Sequence, residues 1–201
     1  MATPLRKACT LRIPILIVVI AGLSLTAAAS DERALGNAQA PVTLIEYGSL
    51  TCGYCISFHR EVLPLIQSRH IDTGRVRYIY RDFPTSAAAT RGAVAARCAG
   101  DQYYRMLGVL FAEVGRWSQS DDIDAALTQQ SATLGIDQKR FHACLNDPRH
   151  SLAVTEGQQQ AISEFDVLGT PTFLINGRIV RGKKTIQEME ALIKPALLDP
   201  Q

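Results

Sequence analysis

The chain has no excess of charge of either sign. Its 201 residues carry a formal net charge of +2. There is no internal repeat, no low-complexity tract, no second Cys-x-x-Cys and no pair of histidines at metal-ligand spacing. Each absence removes a class of reading. A nearly neutral chain gives no electrostatic footprint for nucleic acid. A zinc site built on the one Cys-x-x-Cys would need two further ligands that the spacing of His59, His70, His142 and His150 does not supply, so these histidines read as solvated or capping groups. A c-type haem attachment needs a histidine directly after the second cysteine, where Ile56 stands. The only long apolar run, Ile13 to Leu25, falls short of the roughly 20 residues of a spanning helix even when extended to Ala29.

That run has another use. Arg6, Lys7 and Arg12 precede it, and Ala27-Ala28-Ala29 before Ser30 places small residues at a cleavage position, the pattern of a secretory signal peptide over residues 1–29. An uncleaved membrane anchor is the alternative. Cleavage would remove three positive charges and no negative one, leaving a mature net charge of −1 on about 172 residues, enough for one compact domain or a small domain carrying an insertion. Cys9 would leave with the signal. The four cysteines that remain are an even number suited to an oxidising compartment.

The chemistry concentrates at Cys52-Gly53-Tyr54-Cys55, directly after the apolar run Val42 to Tyr47 and at the start of a helical pattern. Cysteines three apart in a first helical turn can bond through a small ring, and the unpaired amides and positive dipole end there favour the thiolate. Cys52, first in the turn, is the expected attacking sulfur. A structural disulfide or half of a metal site is the competing reading.

The coarse pattern is strand, helix, strand, a long helical stretch, two short strands and a helix. Val42 to Tyr47 reads as a strand, Cys52 to about Arg69 as a helix with Phe58, Val62, Leu65 and Ile66 on one face, and Val76 to Arg81 as a second strand. From Ala87 to Asp166 only helices broken near Gly100, Trp117, Gly135 and Pro148 are visible. Thr172 to Ile175, Asn176-Gly177 and Arg178 to Val180 form a hairpin, and Thr185 to Leu198 a last helix. Residues 30–40 make a short polar lead. Parallel strands joined by a helix and followed by a hairpin give a mixed α/β sheet with helices on its faces, the layout of a thioredoxin fold.

In ordered motifs the chain resembles the DsbA-like family of the thioredoxin superfamily, secreted bacterial thiol:disulfide oxidoreductases. The matching residues are Cys52 to His59, Arg81-Asp82-Phe83-Pro84, Gly169-Thr170-Pro171-Thr172-Phe173 and Asn176-Gly177. The resemblance implies a thioredoxin-fold domain from residues 41–84 and 167–201 with residues 85–166 as an inserted α-helical subdomain. It implies that Cys52 and Cys55 are the catalytic, redox-active pair, flanked by Gly53 and Tyr54. It also implies that Thr170-Pro171 is cis beside them, with Thr170 contacting substrate, and that Glu46 lies buried below the site to accept or relay the proton of Cys55. The competing readings are an ordinary proline at the start of a strand and a surface glutamate, since Leu44 and Ile45 do not settle the register. Cys98 and Cys144, on apolar helix faces, would form a structural disulfide of the kind related proteins carry, with two buried free cysteines as the alternative. Trp117 reads as core or rim of the helical stretch, and Arg178, Arg181, Lys183 and Lys184 as a solvated basic face.

No cofactor and no metal is implied. The expected partners are exported proteins with thiols and a membrane redox partner that recycles the dithiol, and the expected molecule is a periplasmic monomer. Three activities remain open: a disulfide-forming oxidase, a reductase or isomerase using the same residues, and a non-catalytic copper-binding module. Family oxidases commonly have Pro-His between the cysteines. Gly53-Tyr54 lacks that positive charge, so the Cys52 pKa is expected to be lowered, but less than in the strongest oxidases.

Overall fold

The computed structural model describes residues 32–198. The expected signal segment, its expected cleavage position and Cys9 lie outside the described residues. Strands β1 (Val42–Gly48) and β2 (Val76–Asp82) pair in parallel, and β3 (Thr172–Ile175) and β4 (Arg178–Arg181) continue the sheet antiparallel, in the order β2-β1-β3-β4. Asn176 and Gly177 both take positive φ, 45° and 81°, the backbone that a two-residue primed turn requires.

The register of β1 follows from two buried faces. Val42, Leu44 and Glu46 point into the main core with Tyr78 and Phe173, while Tyr47 enters a second cluster with Phe83, Val167 and Leu174. A strand covered on both sides has no polar face, which is why its alternation was uninformative. On the main face lies helix α9 (Ile186–Leu198), through Met189 and Ile193. Its start is a capping box: the Thr185 amide donates to Glu188 Oε2 at 2.7 Å, and the Glu188 amide donates back to Thr185 Oγ1 at 3.3 Å.

Residues 53–71 are helical throughout but not uniformly α. The α-helical pieces α1 (Gly53–Ser57) and α2 (Leu63–Ile66) alternate with wider π segments at Phe58–Val62 and Gln67–Ile71. Pro64 offers no N–H to the carbonyl four residues back, so the helix widens just before it. A single regular helix was expected there. Phe58, Val62 and Ile66 nonetheless reach the core.

The connection from β2 to β3 is all helix among the described residues: α3 (Ala87–Cys98), α4 (Tyr103–Ala112), α5 (Val114–Trp117), α6 (Ile123–Thr133), α7 (Gln138–Leu145) and α8 (Pro148–Phe165). Ser86, Asp122, Asp137 and Asp147 each cap a helix by accepting a first-turn amide, at 2.8–3.0 Å. Trp117 is fully buried and donates its Nε1–H to the Leu110 carbonyl at 2.8 Å.

The polar lead does more than connect. Leu35 exchanges two backbone hydrogen bonds with Tyr78, at 2.8 and 2.9 Å, along the outer side of β2. Glu32 accepts from Arg81 at 2.8 Å.

Candidate active site

Two loops are tied together where β1 ends. Ser49 bonds Thr85 through their hydroxyls at 3.0 Å, Thr51 bonds Ser86 likewise at 3.0 Å, and the Phe83 amide donates to the Gly48 carbonyl at 2.8 Å. Gly48 has to be glycine, since a Cβ there would stand 2.5 Å from the Tyr80 ring. This bracing delivers Cys52 to the N-cap of α1 with extended backbone, φ −79° and ψ 121°. Cys52 is half-buried and Cys55 fully buried, and both are free thiols.

The pKa values of the two thiols are driven in opposite directions. A hydrogen bond from the Cys55 thiol, helped by the Thr170 side chain and by the Tyr54 and Cys55 amides, holds Cys52 down to about 5 from the ordinary 9.0, against the opposing effect of burial. The same hydrogen bond, with burial and the Glu46 charge, pushes Cys55 far above the ordinary thiol range. The pair is therefore one thiolate and one thiol at neutral pH. Opposite them the Thr170-Pro171 bond is cis, and the Thr170 carbonyl lies 3.4 Å from Cys52 Sγ. Pro171 is buried, while Tyr54 and Leu168 are 59% and 73% exposed. Apolar side chains thus face solvent in the Cys-x-x-Cys turn and in the segment leading to Thr170.

Below the pair, Glu46 is fully buried. Its Oε2 accepts from the Tyr78 hydroxyl at 2.6 Å and lies 3.1 Å from His59 Nε2, which donates in the tautomer protonated there. Glu46 Oε1 has no hydrogen-bond partner. Burial and the Glu46 charge keep Tyr78 protonated, and hence a donor. His59 is neither solvated nor a helix cap. Its side chain is 6% exposed and stacks on Phe111 with ring centroids 3.7 Å apart. The sequence reading did not place His59 or Tyr78 against Glu46, although His59 follows Cys55 by four and so shares its helix face.

Cys98 and Cys144 are bonded, with Cα atoms 5.7 Å apart, and join the end of α3 to α7. Among the basic residues of the hairpin and its exit, Arg178, Arg181 and Lys183 are exposed, and Arg181 bonds Asp166 at 2.8 Å.

The profile of the family described as Thioredoxin matches residues 28–195. A candidate protein-disulfide oxidoreductase of Rickettsia conorii is 25% identical over 169 residues, covering 83% of this chain and 61% of its own. The chain spans about three fifths of the length of the curated relatives first matched. Among solved structures, Wolbachia pipientis alpha-DsbA1 superposes with a TM-score of 0.78 at 28% identity, covering 85% of this chain and 93% of its own. Bacillus subtilis BdbD shares the fold with a TM-score of 0.72 at 20% identity, covering 83% and 93%. The chain belongs to the thioredoxin family, in its DsbA-like branch.

Proposed function

We propose that this protein is an exported thiol:disulfide oxidoreductase that forms disulfide bonds in periplasmic proteins. Residues 41–84 and 167–201 act as the thioredoxin-fold domain, and residues 85–166 as its helical insertion. The observation that carries the reading is the split between a Cys52 held near 5 and a Cys55 raised by burial beside it. A stabilised thiolate makes the reduced pair the favoured state, and the disulfide correspondingly oxidising. A substrate thiolate attacks Cys52 Sγ, the Cys52–Cys55 bond breaks, and a mixed disulfide forms at Cys52. A second substrate thiolate then releases Cys52 and closes the substrate disulfide, leaving both cysteines reduced. Cys55 leaves as a thiolate and takes up a proton, matching one released as a substrate thiol ionises, and Glu46 is placed to take that proton when Cys55 acts as nucleophile during reoxidation.

Exposed Tyr54 and Leu168, together with Thr170 beside Cys52, fit an extended apolar polypeptide carrying the thiol. Among the described residues no helix is long and apolar enough to cross a membrane. A membrane redox partner recycles the dithiol. The protein works as a monomer and without a cofactor.

The test is Cys55→Ala. Losing the resolving sulfur should leave exported substrates trapped on Cys52, visible as reducible adducts on a gel. No adduct in cells that secrete cysteine-containing proteins would sink exchange chemistry. The direction is read separately from the redox state of the pair in intact cells, where mostly disulfide is expected and mostly dithiol would mark a reductase or isomerase.

A further inference from the structure

The Cys98–Cys144 bridge sits at the surface rather than inside the helical layer. Both cysteines are half-buried and line an open cavity of about 540 Å³. Only Cys98 packs against the main core. A ring nitrogen of His150, in the first turn of α8, lies within 4.8 Å of both sulfurs. An accessible disulfide beside an ionisable imidazole and the positive end of an 18-residue helix is the setting in which a leaving thiolate is stabilised.

The cavity also carries charges of both signs. The Arg140 guanidinium makes no hydrogen bond or ion pair among the described residues, and Arg97 uses its Nε on Asp82 at 2.8 Å. Asp101 stands on the opposite charge side, with Asp137, whose carboxylate caps α7. A small thiol with both carboxylate and ammonium groups matches this lining.

We infer that Cys98–Cys144 is a second thiol-exchange site, opened by a small zwitterionic thiol that binds in this cavity, with His150 as the residue that stabilises the departing sulfur. The small thiolate attacks Cys144 Sγ, the sulfur not packed on the core. The Cys98–Cys144 bond breaks, a bond from Cys144 to the small thiol forms, and Cys98 leaves as a thiolate beside His150. A second molecule of the same thiol attacks the mixed disulfide, leaves as the small-molecule disulfide, and delivers both cysteines reduced. Two thiols are oxidised and one bridge is reduced.

The experiment uses the full-length oxidised protein and glutathione as the probe, with acid quenching and peptide mass mapping over time. A glutathione adduct is expected on the Cys144 peptide in addition to the one on Cys52. His150→Ala should slow formation of the Cys144 adduct by about threefold or more and leave the Cys52 rate unchanged. Arg140→Ala should slow opening by glutathione but not by 2-mercaptoethanol, which lacks both charged groups. A bridge that stays closed while Cys52 is modified overturns the inference and leaves the main activity standing. So does an adduct on Cys98 in place of Cys144, opening of His150→Ala at the wild-type rate, or opening by 2-mercaptoethanol as fast as by glutathione at equal thiolate concentration.

Discussion

Cys52 and Cys55 differ by three positions in the chain and by a full change of environment. Because Cys52 titrates near 5 in the folded reduced protein, below the ordinary 9.0, its thiolate contributes stability that is fully present above pH 9 and is lost as pH falls through 5. The stability of the reduced protein measured against reduced Cys52→Ser should therefore rise as pH is raised from 5 to 9, and a flat profile would contradict the assignment. Thiolate absorbance should lose half its amplitude near pH 5. Tyr78→Phe removes a donor from buried Glu46, whose other oxygen is already unpartnered, and should cost about 1–3 kcal/mol in denaturant unfolding. The pair itself was legible, because spacing and the strand-to-helix position carry the chemistry. Burial of Glu46 was not legible from the strand pattern, since apolar residues flank it on both faces of β1. The burial of His59 needed the helix face of Cys55 to be known.

Gly92 of α3 marks how tightly the helices close around the site. A Cβ there would meet the Trp117 ring at 2.7 Å and Leu50, two residues before Cys52, at 2.8 Å. Gly92→Ala should therefore destabilise by about 1–3 kcal/mol, read as a fall in denaturation midpoint, despite the better helix propensity of alanine. In α9, Thr185→Ala removes the cap hydroxyl and should cost about 1 kcal/mol by the same measurement. Helix breaks near Gly100, Trp117, Gly135 and Pro148 were readable because turn residues and caps act locally. The π segments around Pro64 were not, because apolar spacing alone does not distinguish a wider turn from a regular one.

The β2-to-β3 connection holds together partly through one covalent link. Cys98 and Cys144 are 46 positions apart, and replacing both by alanine should lower stability by at most about 4 kcal/mol on the chain-entropy model, measured by urea unfolding. Parallel pairing of the first two strands followed from the alternation of strand and helix patterns, and the hairpin from its Asn-Gly turn. The path of the polar lead did not, since a chain of short polar residues carries no periodicity. That lead has a bearing on the work proposed for the protein. Secreted chains that still lack their disulfides arrive extended, with unpaired backbone ready to add to any sheet that offers an edge. Leu35 occupies the rim of β2, and exposed Arg178 and Arg181 stand on the rim strand at the other side. A molecule that must handle unfinished chains repeatedly, and release each one, is thereby kept from becoming the template on which they aggregate.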